Sequence, residues 1–181
     1  MTFRPLKTFS RQKVRNDGRL PRNASPITVK ITHIGGRGDG VGKLRYTHNH
    51  REDDYSVFIP ASLPGETVIA QPLSISKQGI KARIIELGST AATRQTPRCN
   101  AFPICGGCSF QHWSENEIKS WKTKLIVTHL NRNNITIPKI RALQTSPPFS
   151  RRRVCFHVKR LAGTTLVGFL ERMSDRIVDP D

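Results

Sequence analysis

Residues 27–44 read ITVKITHIGGRGDGVGKL. The first eight alternate, with Ile27, Val29 and Ile31 set against Thr28, Lys30 and Thr32, the period of a strand that buries one face. Five glycines then fall within residues 35–44. That density predicts a tight, exposed loop returning into a second strand, because glycine tolerates positive φ and close backbone passage. Further strands are expected at DYSVFIP (54–60), at LPGETVIAQPLSI (63–75) after a turn at Pro64–Gly65, and at GIKARIIELGS (79–89). The polar run YTHNHREDD (46–54) reads as a solvated loop. About five short strands between residues 26 and 88 predict a small closed OB-like barrel, since closure removes free sheet edges. The fold class is therefore mainly β.

Outward from the barrel the character changes on both sides. Residues 1–25 carry seven Lys/Arg against the single acid Asp17 and keep no hydrophobic period, which predicts a disordered basic arm. A solubilising tail and an organelle transit segment are the alternative readings. Residues 89–98, STAATRQTPR, read as a linker. Beyond it, Ser114 followed by Glu117 has the form of a capping box and starts a helix whose face carries Ile118, Trp121 and Leu125 and whose end falls near Asn133–Asn134. Strands are expected again over ITIPKIRAL (135–143), RRRVCFHVKR and TTLVGFLERMSDRIV, with Gly163 in a hairpin turn between the last two. Residues 99–181 thus read as a partial α+β region.

The whole chain of 181 residues holds 30 Lys and Arg against 13 Asp and Glu, a formal net charge of +17. Such an excess points to a polyanionic partner, nucleic acid before an anionic membrane surface. No run of about 18 apolar residues suits a membrane helix. The basic start has no apolar segment behind it, so no secretory signal is read. Four cysteines are too few for a disulfide scaffold, and a reducing, cytoplasmic setting is expected. Barrel cations suited to phosphate contact are Lys30, Arg37, Lys43 and Arg45, with Lys77, Lys81 and Arg83 beside them; the plainer reading is the solvated face of each strand. Arg151, Arg152 and Arg153 open an expected strand, and their planar donor forks fit phosphate. A solvated strand end, or pairing with Glu171 or Asp175, is the alternative. No nucleophile–base pair or convergent carboxylates can be assigned, so no catalytic residue is read in this chain.

The cysteines carry the sharpest signal. Three of the four stand as Cys99-x5-Cys105-x2-Cys108, with Gly106 and Gly107 between the last two. Thiolates select soft metals. The x5 spacing fits a paired C-x2-C zinc site poorly, whereas a [4Fe–4S] cluster accepts varied spacing and needs four ligands, usually cysteines. Arg98 would ease the thiolate charge. Zinc with His112 as a further ligand, and no metal at all with the cysteines as small buried hydrophobes, remain open. Cys155 is the remaining cysteine, and its plainer reading is a buried free thiol in a strand.

These residues carry a resemblance. Cys99-x5-Cys105-Gly-Gly-Cys108-x2-Gln111-His112 resembles the cluster loop of the RNA uracil-5 methyltransferase family, in its iron–sulfur branch acting on 23S ribosomal RNA. GDGVGK (38–43) and VFIPASLPGETV (57–68) are similar to phrases of the TRAM domain that precedes that loop, and SPPFSRRRVCFHV followed by GFLERMSDRIVD resembles the start of the family's central domain. The resemblance spans residues 26–181.

It implies a [4Fe–4S] cluster on Cys99, Cys105 and Cys108, with a fourth cysteine expected just after the Ile-Val-Asp segment, where this sequence stops; Cys155 aligns with a position that is not a ligand. It implies an RNA partner, ribosomal by the branch, and a monomer. It also implies a C-terminal Rossmann-like domain that binds S-adenosylmethionine and holds the cysteine nucleophile and general base for 5-methyluridine formation. That domain is absent from these residues, so the expectation is the N-terminal RNA-binding portion of a longer enzyme. A stand-alone TRAM-type RNA-binding protein with a structural metal, a zinc-ribbon-like protein of translation and a transfer-RNA uracil-5 methyltransferase are the alternatives.

Overall fold

A computed structural model describes residues 18–179 except 22, 49 and 138, and the backbone but not the side chain of Arg51. Most of the expected basic arm, residues 1–17, lies outside the described residues. Its end does not: β1 (Gly18–Arg19) pairs antiparallel with a barrel strand.

Five strands close the barrel: β2 (Ile27–Ile34), β3 (Gly40–His48), β4 (Arg51–Ile59), β5 (Thr67–Ser76) and β6 (Gly79–Ser89). The order β5-β2-β3-β4-β6 returns to β5 through the β5–β6 pairing, and β4 runs parallel to β6. This is a closed OB-like barrel. The alternation read from residues 27–34 is the packing alternation: Ile27, Val29 and Ile31 point into a core shared with Val57, Ile59, Val68, Ala70, Ile80 and Ala82.

Two expectations in this half are corrected. Residues 46–54 are not a loop. Strands β3 and β4 pair continuously from Gly40↔Ile59 to His48↔Arg51, so a two-residue connection joins them, with His50 at φ 61°. Tyr46 and Tyr55 supply the missed signal: both are aromatic, both pack on the core, and their rings meet edge to face. The glycine-rich stretch is also only partly loop. Gly40 and Gly42 are buried strand residues, and a Cβ on Gly42 would lie 2.4 Å from Val29 Cγ1. Glycine here lets β3 lie close against β2.

The second half is anchored on one end of the barrel. Helix α1 (Glu115–Arg132) starts after Ser114 and stops at Asn133, as its sequence predicts. Ser114 makes no side-chain cap, however, and Glu115 instead bonds Lys119 and Thr145, so the capping box marks the start without forming. Ile118 and Trp121 of the helix pack with Phe110 against Ile34, Leu63 and Trp113. The Phe110 and Trp121 rings lie 5.0 Å apart, and Trp121 Nε1 donates to the Ile34 carbonyl.

Residues 89–98 are not a slack linker. Arg94 reaches back to Glu66, which is fully buried and accepts from Arg94 Nε at 2.6 Å, Arg94 Nη2 at 2.8 Å and the Leu63 and Ala91 amides. The flanking backbone joins His112–Ser114 through Gln95 N–H to His112 and Ser114 N–H to Thr93.

Beyond the helix, none of the described residues among 135–143 lies in a strand. A three-stranded sheet follows, of β7 (His157–Leu161), β8 (Thr164–Leu170) and β9 (Ile177–Val178), with Gly163 in the β7–β8 turn as expected. Arg151–Arg153 precede β7 and do not open it.

Burial pushes the Glu66 carboxyl upward, but the hydrogen bonds and charge of Arg94 and the two amides outweigh it and hold its pKa below the ordinary value. The depressed pKa makes the Glu66 contribution fully present above the unfolded carboxylate value and lost as pH falls through the lower folded one. Arg94→Met strands a buried carboxylate and is expected to cost about 3–5 kcal/mol. The double change Glu66→Leu with Arg94→Met is expected to recover much of that. Urea unfolding of the three proteins at neutral pH measures both effects, and equal losses in single and double variants would refute the pairing.

Candidate functional site

The barrel cations fall where the strand period puts them. Lys30 of β2 and Lys43 of β3 are exposed and flank the Ile31–Gly42 pair, so the two ammonium groups rise from adjacent strands. Arg45 lies two residues further along β3, loosely paired at 3.7 Å with the equally exposed Asp54. Such a surface pair contributes little and leaves the guanidinium available to solvent and ligands. Arg37 stands apart, in the 35–39 loop at the barrel rim. There it helps line a cavity of about 420 Å³ with Lys81 and, from the second half, Arg172. Arg172 was not legible as a site residue from sequence, because only folding brings residue 172 to the barrel.

Arg151 and Arg153 are brought instead to the cysteine loop, where they line a cavity of about 330 Å³ with Gly107, Cys155 and Phe169. Arg152 is exposed and does not line it. Neither of the anticipated acids pairs with these arginines: Glu171 holds Arg176 at 3.0 Å. Cys155 is a free thiol as expected, but exposed rather than buried.

The cysteine loop is stitched to the end of β8. Gly106 N–H donates to the Leu170 carbonyl and Arg172 N–H to the Ile104 carbonyl. A Cβ on Gly106 would sit 2.8 Å from that Leu170 oxygen, so glycine is needed for this contact. Arg172 Nη2 donates to the Cys108 carbonyl at 2.6 Å. Gly107 N–H donates to Cys105 Sγ at 3.4 Å, and Gln111 Oε1 accepts from the Cys99 amide. Cys105 is buried, Cys99 half-buried and Cys108 exposed. Among the described residues no three His, Cys, Asp or Glu side chains are gathered closely enough to hold a metal ion. The loop as folded presents three free thiols on one short segment, at three different depths of burial.

His112, at the foot of the loop, is the most deeply buried histidine. Its ring stacks on Phe102 at 5.1 Å, and neither ring nitrogen has a well-formed hydrogen bond. Burial first, and then the charge of Arg94, push its pKa down to about 4. His112 is held as neutral imidazole beside the Glu66–Arg94 pair.

No helix among the described residues is long and apolar enough to cross a membrane. No family model matches the chain. The chain is 31% identical over 151 residues to an uncharacterized RNA methyltransferase of Brucella suis, covering 83% of this chain and 33% of that protein. It is 32% identical over 157 residues to an uncharacterized RNA methyltransferase of Rhizobium meliloti, covering 83% and 34%. It is 30% identical over 168 residues to the 23S rRNA (uracil(1939)-C(5))-methyltransferase RlmD of Alkalilimnicola ehrlichii, covering 90% and 35%. The chain spans about a third of the length of the curated relatives it matches.

The unfolded chain protonates His112 near the ordinary histidine value and the folded chain only near pH 4. The unfolded state thus binds more protons between those limits, and stability rises with pH across that window. His112→Phe is expected to flatten the rise between about pH 4 and pH 6.5, leaving only the carboxylate contribution at the acid end. Urea midpoints of the two proteins across that range provide the measurement. An unchanged slope in the variant would show that His112 does not titrate in this way.

Proposed function

We propose that this chain is the RNA-recruiting portion of an RNA (uracil-C5) methyltransferase acting on 23S ribosomal RNA. The observation that carries this reading is similarity, along more than four fifths of the chain, to proteins named RNA methyltransferases, one of them named for that reaction. The geometry supports it. An OB-like barrel offers a sheet surface on which Lys30, Lys43 and Arg45 stand as neighbouring cations, and OB surfaces track single-stranded phosphate backbones with such charges. Arg37 at the rim and Arg151–Arg153 beside the cysteine loop extend the set of phosphate contacts. Binding of this kind favours unpaired RNA, whose bases are splayed and reachable. A uracil must leave its stack before its C5 can react. S-adenosylmethionine and the reacting groups belong, on this proposal, to the remaining length that such methyltransferases have.

The cysteine loop enters as a proposal of its own. Cys99, Cys105 and Cys108 would supply three of the four thiolates of a [4Fe–4S] cluster, with zinc as the alternative metal. Their place on one short loop and the Gly107 N–H aimed at Cys105 Sγ support it. No step of RNA binding is routed through the metal.

Binding of an unpaired ribosomal RNA fragment is expected to weaken steeply with salt. Replacing Lys30, Lys43 and Arg45 by Gln is expected to reduce the slope of log K against log salt by about two, at roughly 0.7 for each phosphate no longer neutralised. Fluorescence anisotropy at several salt concentrations tests this, and a binding constant independent of ionic strength would overturn the RNA reading. Iron and acid-labile sulfide, measured after anaerobic purification, test the cluster. Iron with matching sulfide is expected, and zinc in stoichiometric amount without iron would remove the cluster from the proposal.

A further inference from the structure

Three cavities adjoin along one side of the barrel. The rim cavity, about 420 Å³, lies between the 35–39 loop, the β5–β6 turn and Met173. It shares Pro60, Arg172 and Met173 with a second cavity of about 360 Å³, which runs between Ile84 of β6 and Ile104 of the cysteine loop. That cavity shares Leu73 and Arg83 with a third of about 400 Å³, bounded by residues 19–21. Together they form one trough, from the barrel rim to β1, with the turn at 171–174 as the far bank of its first two parts.

Strand register sets cations along it. Lys81 and Arg83 stand two apart on β6 and share its outer face, while Ile80 and Ala82 face the core. Ser74 of β5 pairs with Lys81 on one side and with Arg19 of β1 on the other, so Arg19 and Lys81 lie in one row across three strands, about 10 Å apart by two strand spacings. Arg37 is at the rim end. Arg19, Arg37 and Arg83 are exposed, and their side chains make no hydrogen bond or ion pair among the described residues. The acids lining the trough are Asp39 and Glu171, and Glu171 already holds Arg176. Between the cations lie apolar ledges: Phe58, Pro60, Met173 and Ile84. Phe58 lies over the β5–β6 turn because Gly79 has no side chain, and a Cβ there would sit 2.9 Å from Phe58 Cε2.

We propose that this trough carries a single strand of RNA from the rim across the outer face of β6 and β5 to β1, with phosphates on Arg37, Arg83 and Arg19 and bases against Phe58, Pro60 and Met173. The inference rests on the RNA-binding reading above and adds a second track to it, apart from the Lys30–Lys43–Arg45 face. A chain with charge along one edge and flat apolar groups along the other matches arginines that alternate with apolar ledges. An acidic peptide matches the charges alone. The rim end supports the same occupant, since the 35–39 loop and the β5–β6 turn join the first to the second and the fourth to the fifth barrel strands, the loops with which OB barrels take oligonucleotides. Bases must be unstacked to lie on such ledges, which selects single strands over duplex.

The test uses this chain and fluorescein-labelled decauridine RNA. Anisotropy across a salt series is expected to show the triple change Arg19→Gln, Arg37→Gln and Arg83→Gln lowering the slope of log K against log salt by about two, at roughly 0.7 per phosphate. Lys159→Gln with Arg160→Gln, on β7 away from the trough, is expected to change it by less than about 0.7. Equal losses per charge in the two variants overturn the track. A second measurement needs no variant. Saturating decauridine is expected to slow peroxide oxidation of the Met173 thioether about threefold against free methionine in the same tube, read by peptide mass. An unchanged rate while the RNA is bound overturns the track and leaves the RNA reading standing. A decaglutamate that displaces the RNA at equal concentration overturns RNA as the occupant. If neither decauridine nor a longer unpaired ribosomal RNA fragment binds, the RNA reading falls and the track falls with it.

Discussion

One buried carboxylate organises the junction on which both halves of the chain depend. Glu66 lies in the turn between β4 and β5, sealed from water, and four N–H groups from three residues converge on it. A lone carboxylate in that position would be too costly to bury. Arg94 makes it tolerable, and in doing so brings residues 89–98 onto the barrel. Arg94 Nη2 also donates to the Ala61 carbonyl, so the guanidinium is fixed by more than its charge. Such a pair is not a large source of net stability, because its desolvation is nearly as costly as its attraction is favourable. What it supplies is direction: it ties the chain leaving β6 to the turn before β5.

That path places Trp113 and Trp121 over Ile34 and Leu63, closing the end of the barrel. It also buries His112 as a neutral ring between Phe102 and the ion pair. A charged histidine beside Arg94 would meet both a like charge and a dry surrounding, and the two effects act in the same direction. The fold is thus tuned so that carboxylate and guanidinium keep their charges while the imidazole keeps none.

The barrel was readable because its strands bury one face each. Ile27, Val29 and Ile31 announce their direction by period alone, and α1 announces its ends through Ser114 and Asn133. The β3–β4 extension was not readable, since a two-residue connection flanked by Thr, His, Arg and Glu looks like solvent-exposed loop; only the cross-strand Tyr46–Tyr55 contact distinguishes it. Arg94 was hidden for a different reason. Its partner is 28 positions away, and nothing local marks an arginine that will pair with a buried acid. The same holds for the site. Outward-facing Lys30, Lys43 and Arg45 follow from strand alternation, whereas the arrival of Arg172 at the barrel rim is purely tertiary. Arg151–Arg153 were legible as a cluster of charge but not as neighbours of Gly107, because the strand expected to carry them begins only at His157.

The sheet that delivers Arg172 is weakly supported by burial. Val158 and Val167 are exposed on one face, and Leu161 and Leu166 on the other, so little apolar area is removed from water on either side. Its position comes mainly from the backbone bonds that join Leu170 and Arg172 to Gly106 and Ile104. The Glu171–Arg176 pair braces the same turn from the solvent side. Arg172 is therefore held where the cysteine loop holds it, with one nitrogen on the Cys108 carbonyl, and it lines the rim cavity. Any change in the geometry of Cys105–Cys108 must move the Gly106 and Cys108 contacts and, through them, the guanidinium. The thiol-bearing loop and the wall of the rim cavity are consequently joined through Arg172, by its backbone as well as its side chain.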